Sequence, residues 1–519
     1  MDWFRIQSEN GCISISKKYN RGNKNKMKNM TRAIAVLLVM LVLVSAAVSC
    51  ADKKDDGGSG GTNTSTSVEE TTDEAMNFDP GLPALNFEDS TFTFLTKAVA
   101  TYGDWGETTV WTETQTGDVI NDSVFIRNSF IEETYKVKFV DSPSGTLAND
   151  IAKSNTAGDG AYDVVMPAFG DCGTLAAGGN FINLFDVEYI NVQRLWWDQR
   201  SVSDLTVANK LFFAGNDIST LNNDATWCTM FNKEMIEDYT VDSPYDLVAK
   251  NEWTYENFYG KYQTVSTDIN GNGKFDADDI YANLTQNENY NAMYIGSGER
   301  LIEKDADDIP VIGLGKSERS VGVLEDLVDI LTDEQFSLNY HTKASSLGYH
   351  LWTTKMFEES RGLFWITNLQ IVIRLRDLET PMGIVPVPKY SADQESYSNV
   401  VWTVGSYSAI LKTVTSTERS GAILEAMSAK SMELLKPAYY DIALNGKYLR
   451  DNESIEMLDI IIKERVYDLG LAYGFGGINS VVESLVAKKN TGLASAMESK
   501  TKSIQSAIDK IVEKFSENT

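Results

Sequence analysis

Between Leu85 and Met166 the apolar positions alternate between two rhythms. Thr91-Phe92-Thr93-Phe94-Leu95 predicts a strand, and residues 119–135 then carry Ile120, Val124, Ile131 and Tyr135 at helical spacing. Lys136 to Val140 predicts a second strand and 147–157 a second helix. Tyr162-Asp163-Val164-Val165-Met166 is the compact apolar run of a buried parallel strand. The β-α-β-α-β order predicts an open, mostly parallel sheet with helices on both faces, an α/β fold. Farther along, Val321, Leu324, Val328 and Leu331 form one helical stripe, and Ile504, Ile508, Ile511 and Phe515 form another. About 435 residues of this pattern exceed what one core usually holds, so two lobes are expected. No short-period repeat runs through the chain.

Composition narrows the function. The 519 residues hold 46 Lys+Arg against 74 Asp+Glu, a formal net charge of -28. Nucleic-acid binding needs clustered cations against phosphates, so that role is disfavoured. Four Cys are too few for a disulfide scaffold or a cysteine-lined zinc module, and the only histidines are His341 and His350. Cys172 and Cys228 are expected to stay unpaired. No G-x-S-x-G or H-E-x-x-H occurs. Gly313-Leu314-Gly315-Lys316-Ser317 is a near-miss for a phosphate loop, but the motif's first glycine would fall on Pro310. It predicts a turn before the helix that follows.

The first fifty residues look like an address. A basic stretch (Lys24, Lys26, Lys28, Arg32) precedes an apolar run from Ala33 to Val44, shorter than a membrane span. It ends in Ala47-Val48-Ser49-Cys50, which resembles a bacterial lipobox with Cys50 as the lipidated residue. Residues 1–49 are therefore expected to be a signal peptide, with 1–26 preceding a normal-looking signal, as a misplaced start codon would produce. Residues 50–85 are expected to be a tether, because Asp52 to Thr72 offers almost nothing to bury. Without residues 1–49 the net charge is about -34, so charge would not hold this body on an anionic bilayer and the anchor has to be covalent.

Asp268-Ile269-Asn270-Gly271-Asn272-Gly273-Lys274-Phe275-Asp276-Ala277-Asp278-Asp279 reads as a calcium loop. Asp268, Asn270, Asn272, Asp276 and Asp279 offer oxygens at positions 1, 3, 5, 9 and 12, and Lys274 offers its carbonyl at position 7. Asp279 stands where EF-hands carry Glu, a departure shared with dockerin-type loops. The bland alternative is an acidic Asn-Gly turn without metal. One copy of the loop points to a structural role for calcium.

Several segments then add up in order. Tyr162-Asp163-Val164-Val165-Met166-Pro167 precedes Phe181-Ile182-Asn183-Leu184, and Met230-Phe231-Asn232-Lys233-Glu234 precedes Trp253-Thr254-Tyr255-Glu256-Asn257-Phe258. Arg361-Gly362-Leu363-Phe364-Trp365 precedes Gly383-Ile384-Val385-Pro386-Val387-Pro388. This series, over nearly all of 90–430, resembles the extracellular solute-binding proteins of bacterial ABC importers, the maltose-binding-protein-like group. The resemblance implies a two-lobed periplasmic-binding-protein-like fold, each lobe a mostly parallel sheet flanked by helices and joined by a hinge. It implies one lobe of 86–222 plus 361–429 and another of 225–358 plus 432–519. The implied function is capture of a small solute, an oligosaccharide foremost, in the interlobe cleft and delivery to the permease subunits. The protein would be no enzyme, a monomer, extracytoplasmic and lipid-anchored.

On that fold the cleft walls come from loops at the C-terminal ends of strands. The candidates are Tyr102, Asp104 and Trp105 after the first strand, and Phe169 and Asp171 after Met166. Asn223, Asp224 and Trp227 lie near the first crossover. Asn287 and Tyr290 belong to Gln286-Asn287-Glu288-Asn289-Tyr290, which resembles a ligand loop of the group's second lobe. Trp365 and Asn368, Trp402, and Tyr473 with Phe475 complete the set. Ten Trp and 23 Tyr suit stacking against sugar rings. The alternative from another class is a surface-tethered carbohydrate-active hydrolase working with paired carboxylates.

Overall fold

The computed structural model describes residues 77–375, 378–444 and 452–517. The signal segment, Cys50 and most of the tether lie outside them.

The first three strands are β1 (Ser90–Lys97), β2 (Val137–Ser144) and β3 (Val164–Val165), all parallel, in the order β2-β1-β3. Phe92, Phe94 and Phe139 pack their rings at 5.1–5.7 Å on one face. The Val119–Tyr135 helix between β1 and β2 starts where the Asp118 carboxylate accepts from the Asn121 N–H at 2.9 Å. It ends at left-handed Lys136 (φ 54°). Its inner face buries Val124, Ile131 and Tyr135, as the periodicity predicts. The Leu147–Ala157 helix also lies where the pattern places it. Near the expected phosphate-loop mimic, Ser317 Oγ caps the Glu318–Thr332 helix by accepting from the Ser320 N–H at 3.0 Å, the turn predicted there.

A second sheet holds β4 (Trp227–Asn232) and β5 (Tyr281–Thr285). A separate hairpin, β6 (Ile302–Lys304) and β7 (Pro310–Ile312), precedes β8 (Ser337–Asn339). With β9 (Gly362–Asn368) and β10 (Met382–Val385) the sheet order is β10-β4-β9-β5-β8. Strands β5, β8 and β9 run parallel, and β4 is antiparallel to β9 and β10. Finally, β11 (Asn399–Val400) pairs with β12 (Arg465–Val466).

This arrangement corrects one boundary. Residues 361–429 were expected to sit with 86–222, yet β9 and β10 belong to the second sheet, and only later does the chain return to the first. There Ala409 bridges Val165 and Ser406 bridges Ala168. The reason is packing. Central strand β9 is buried on both faces, Phe364 against Trp253 and Tyr262, Trp365 against Trp352. The C-terminal part also touches the first lobe's residues, through Phe515 on Phe212 at 4.5 Å and Tyr467 on Phe169 at 6.1 Å.

The chain crosses between the sheets beside itself. Thr226 bridges Val401, the Trp402 N–H donates to the Ala225 carbonyl at 2.9 Å, and the Leu369 N–H donates to that of Thr226 at 3.0 Å. Cys172 and Cys228 are both buried and free, and burial pushes each thiol pKa up. Among the described residues no helix is long and apolar enough to cross a membrane.

Candidate functional site: the cavity at the strand ends

A cavity of about 500 Å³ opens where the C-terminal ends of parallel strands from both sheets converge. From the first sheet, the loop after β1 supplies Tyr102, Asp104 and Trp105. From the second, Gln286 and Glu288 follow β5, Tyr340 and His341 follow β8, and Asn368 closes β9. The crossing segments contribute Trp227 and Trp402, whose rings meet edge to face at 5.7 Å. Parallel strands present a ligand-binding crevice beyond their carboxyl ends, and both sheets use that end here.

Local interactions hold these side chains in place. Asn368 Oδ1 caps the Leu369–Arg374 helix, accepting from the Ile371 N–H at 3.3 Å, and that helix carries Gln370, Ile371 and Arg374 into the wall. The Arg374 guanidinium reaches Asp104 across the cavity, 3.5 Å from its Oδ2. Fully buried Asn289 pins the loop after β5: its Oδ1 accepts from the Gln286 N–H at 3.0 Å and its Nδ2 donates to the Ile366 carbonyl at 2.6 Å. The segment Tyr340–Ala344 is a π-helical turn, a rare geometry concentrated at functional sites. His341 Nδ1 accepts from the Asn287 N–H at 3.3 Å. Nearby, burial raises the pKa of Glu483, with Glu288 adding to the rise and His341 opposing it.

Among the lining side chains, Trp227 Nε1, Gln286 Oε1 and Glu288 Oε2 are buried atoms with no hydrogen-bond partner among the described residues. Trp227 and Gln286 are 1% and 6% exposed. Such groups are costly to bury unless something pairs with them.

Of the sequence candidates, Tyr102, Asp104, Trp105, Asn368 and Trp402 line this cavity, and Trp227 joins them. The others do not. Phe169 stacks on Tyr407 at 4.8 Å in the core, and Asp171 sits in the first turn of the Phe169–Ala177 helix outside the lining. Asn223 accepts from Arg465 at 2.6 Å. Asp224 accepts from the Tyr439 hydroxyl at 3.0 Å, and burial pushes its pKa up to about 7. Asn287 and Tyr290 face a separate cavity of about 280 Å³, joined through Asn339. Trp365 is fully buried. Tyr473 and Phe475 stack on each other at 5.2 Å, with Tyr473 against Phe213. Tyr340, His341, Gln370, Ile371 and Arg374 escaped sequence reasoning, since a π turn and a capped helix after β9 leave no motif.

The acidic loop folds as a string of turns closed by the Thr267–Ile280 bridge. Asp268 accepts from the Gly271 and Gly273 N–H groups, both at 2.7 Å. Asn270 and Asn272 each accept from the N–H two residues on. Buried Asp279 accepts from Ile269 and Asp276, and the Asp276 carboxylate accepts from Asp278. Phe275 packs on Tyr281 at 5.7 Å, and the Lys343 ammonium holds the Phe275 carbonyl at 3.0 Å. Among the described residues no three His, Cys, Asp or Glu groups gather as a metal cluster. The side-chain oxygens bond backbone N–H groups, and each keeps a further lone pair.

No family model matches the sequence, and no protein of curated function matches it. Solved structures do match in shape. An ABC transporter associated binding protein from B. animalis subsp. lactis, solved with β-1,6-galactobiose, is 13% identical with a TM-score of 0.51. That match covers 81% of this chain and 98% of the other. The cyclic α-maltosyl-1,6-maltose binding protein of Arthrobacter globiformis is 12% identical with a TM-score of 0.51 over the same shares, 81% and 98%. UgpB from Mycobacterium tuberculosis, in complex with glycerophosphocholine, is 13% identical with a TM-score of 0.51, again covering 81% and 98%. At such identity the likeness is one of fold: the chain has the two-lobed α/β architecture of periplasmic-binding-protein-like molecules.

Proposed function

We propose that this chain is the substrate-binding lipoprotein of an ABC importer, taking an oligosaccharide into the cavity and handing it unchanged to the permease. One observation carries the reading. A cavity of about 500 Å³ lies at the carboxyl ends of strands from both sheets, floored by the crossing segments that carry Trp227 and Trp402. A ligand there touches both walls at once, so it binds tighter when they approach, and binding shifts the population toward the closed form. Trp105, Trp402, Tyr102 and Tyr340 offer ring faces, and Gln286, Glu288, Asn368 and Gln370 offer polar groups for hydroxyls. Molecules of this fold have been solved with β-1,6-galactobiose and with glycerophosphocholine, so the fold alone leaves the ligand class open.

Isothermal titration against neutral oligosaccharides, basic peptides and glycerophosphodiesters tests the reading. Heats with the sugars are expected, and heats with peptides alone would overturn it. No observation favours the hydrolase reading. Of the two carboxylates lining the cavity, Asp104 faces the Arg374 guanidinium and Glu288 is the other.

The remaining features belong to the same proposal. Cys50 is the lipid attachment point: labelling with a fatty acid in the producing cell would be lost in Cys50→Ser, and persistence of label would refute this. Calcium binds the 268–279 loop through Asp268, Asn270, Asn272, the Lys274 carbonyl, Asp276 and Asp279, and braces the edge near β5. Adding calcium to chelator-treated protein is expected to raise the melting temperature, and an unchanged melt would sink the idea.

A further inference from the structure

The 268–279 loop carries a chemistry that needs neither ligand nor metal. Asn270-Gly271 and Asn272-Gly273 stand in succession, all four residues exposed. An asparagine followed by glycine is prone to cyclise, because glycine has no side chain to shield its main-chain nitrogen. A Cβ on either glycine would meet nothing within 4 Å, so the space that a five-membered ring needs is open. In the reaction the Gly271 nitrogen attacks Asn270 Cγ. A C–N bond forms, the Cγ–Nδ2 bond breaks, and Nδ2 leaves as ammonia with the amide proton. Water then opens the succinimide to aspartate or isoaspartate. The Gly273 nitrogen and Asn272 Cγ form the second such pair. One side chain holds both attacking nitrogens: half-buried Asp268 accepts from the Gly271 N–H through Oδ1 and from the Gly273 N–H through Oδ2, each at 2.7 Å. The carboxamides are held as well. Asn270 Oδ1 accepts from the Asn272 N–H at 3.0 Å, and Asn272 Oδ1 from the Lys274 N–H at 2.8 Å.

We infer that Asn270 and Asn272 are deamidation sites of this protein, and that Asp268 governs the rate at both by holding the two attacking nitrogens. Each nitrogen reaches the neighbouring Cγ only after its peptide plane turns, which breaks the bond to Asp268. Hydrogen bonds to a charged acceptor are the strong ones, and having to open one lowers the reactive population about tenfold. Every conversion adds a carboxylate to a loop that already holds Asp268 and Asp276. The isoaspartate form also adds a main-chain methylene, which displaces the bonds that follow, as far as the Phe275 carbonyl held by Lys343. The inference is independent of the sugar and calcium readings.

Peptide mapping by mass spectrometry tests it on the full chain, aged at neutral pH in heavy-oxygen water with a chelator present. Trypsin cleavage after Lys261 and Lys274 isolates both asparagines in one peptide. Solvent oxygen taken up in place of ammonia counts each event, and fragmentation separates position 270 from 272. The folded wild type is expected to convert about tenfold more slowly than the urea-unfolded chain; equal rates would overturn the protection. Asp268→Ala removes both bonds and is expected to speed both sites about tenfold. An unchanged rate would overturn the role of Asp268, and a slower one would make it a base that assists the attack. Lys343→Met controls for a loop that has merely loosened. It frees the Phe275 carbonyl and leaves both glycine bonds in place, so the wild-type rate is expected. Acceleration equal to that of Asp268→Ala would assign the protection to loop order in general, against the inference. Failure of either asparagine to convert in the unfolded chain would remove it as a site.

Discussion

Arg465 is the joint on which the crossing region depends, and removing it gives a sharp test. Its guanidinium lies 2.6 Å from Asp198 Oδ2, and a second nitrogen donates to Asn223 Oδ1 at 2.6 Å. Its Nε donates to the Ile462 carbonyl at 3.1 Å. Both charged side chains are about nine-tenths buried. The arginine thus ties β12 to the segment just before the first crossing strand. Arg465→Met keeps most of the apolar stem and deletes the charge. Breaking a buried pair by removing one partner typically costs about 3–5 kcal/mol, because the remaining ion is stranded. Asp198 keeps the Tyr467 hydroxyl and the Ser201 N–H, so a loss of about 3 kcal/mol is expected. Urea unfolding measures it. The double variant Arg465→Met/Asp198→Asn should recover a good part of the loss, since it removes the stranded charge. A single-variant loss below about 1 kcal/mol, or purely additive effects in the cycle, would refute the reasoning.

Other expectations are more local. Asn289→Ala leaves the Gln286 N–H and the Ile366 carbonyl unpaired, so stability should fall by about 2–4 kcal/mol and ligand affinity with it; unchanged affinity in a folded variant would show that the Gln286 loop is not preorganised. The pKa of Asp224 is raised from 3.8 to about 7. A raised carboxylate stabilises the fold below its unfolded pKa, and that contribution is lost as pH rises through its folded one. Wild-type stability should therefore decline relative to Asp224→Asn from about pH 4 to about pH 7, and the opposite slope in paired urea melts would contradict the assignment. Cys172 and Cys228 should resist Ellman's reagent in the native protein and react on unfolding; rapid native labelling would mean the lobes open through their cores.

The early part of the fold was legible because its signals are local. Alternating Phe92 and Phe94, and the helical stripe through Val124 and Ile131, each record one buried face. Sheet membership was not legible. Leu363 to Ile366 is apolar throughout, and such a run fits the centre of either sheet; the pairing of Trp227 with Asn368 places it. The site divides the same way. Tyr102, Asp104 and Trp105 were found because a polar, Gly-containing loop after a parallel strand sits where ligands bind. Tyr473 and Phe475 looked similar, yet Gly474, Gly476 and Gly477, all at positive φ, let that loop fold inward. Gly173 shows how closely: a Cβ there would come within 2.4 Å of the Ala472 carbonyl. Tyr340 and His341 had no sequence signature at all.

The central claim is that ligand fills the space between the two sets of strand ends. Hydrogen exchange with and without a bound oligosaccharide tests this most directly. Slower exchange is expected together at 102–105, 286–290, 340–343, 368–374 and 402–404, from both sheets and the crossing segment at once. Protection confined to one sheet, or lying elsewhere while calorimetry reports binding, would contradict it.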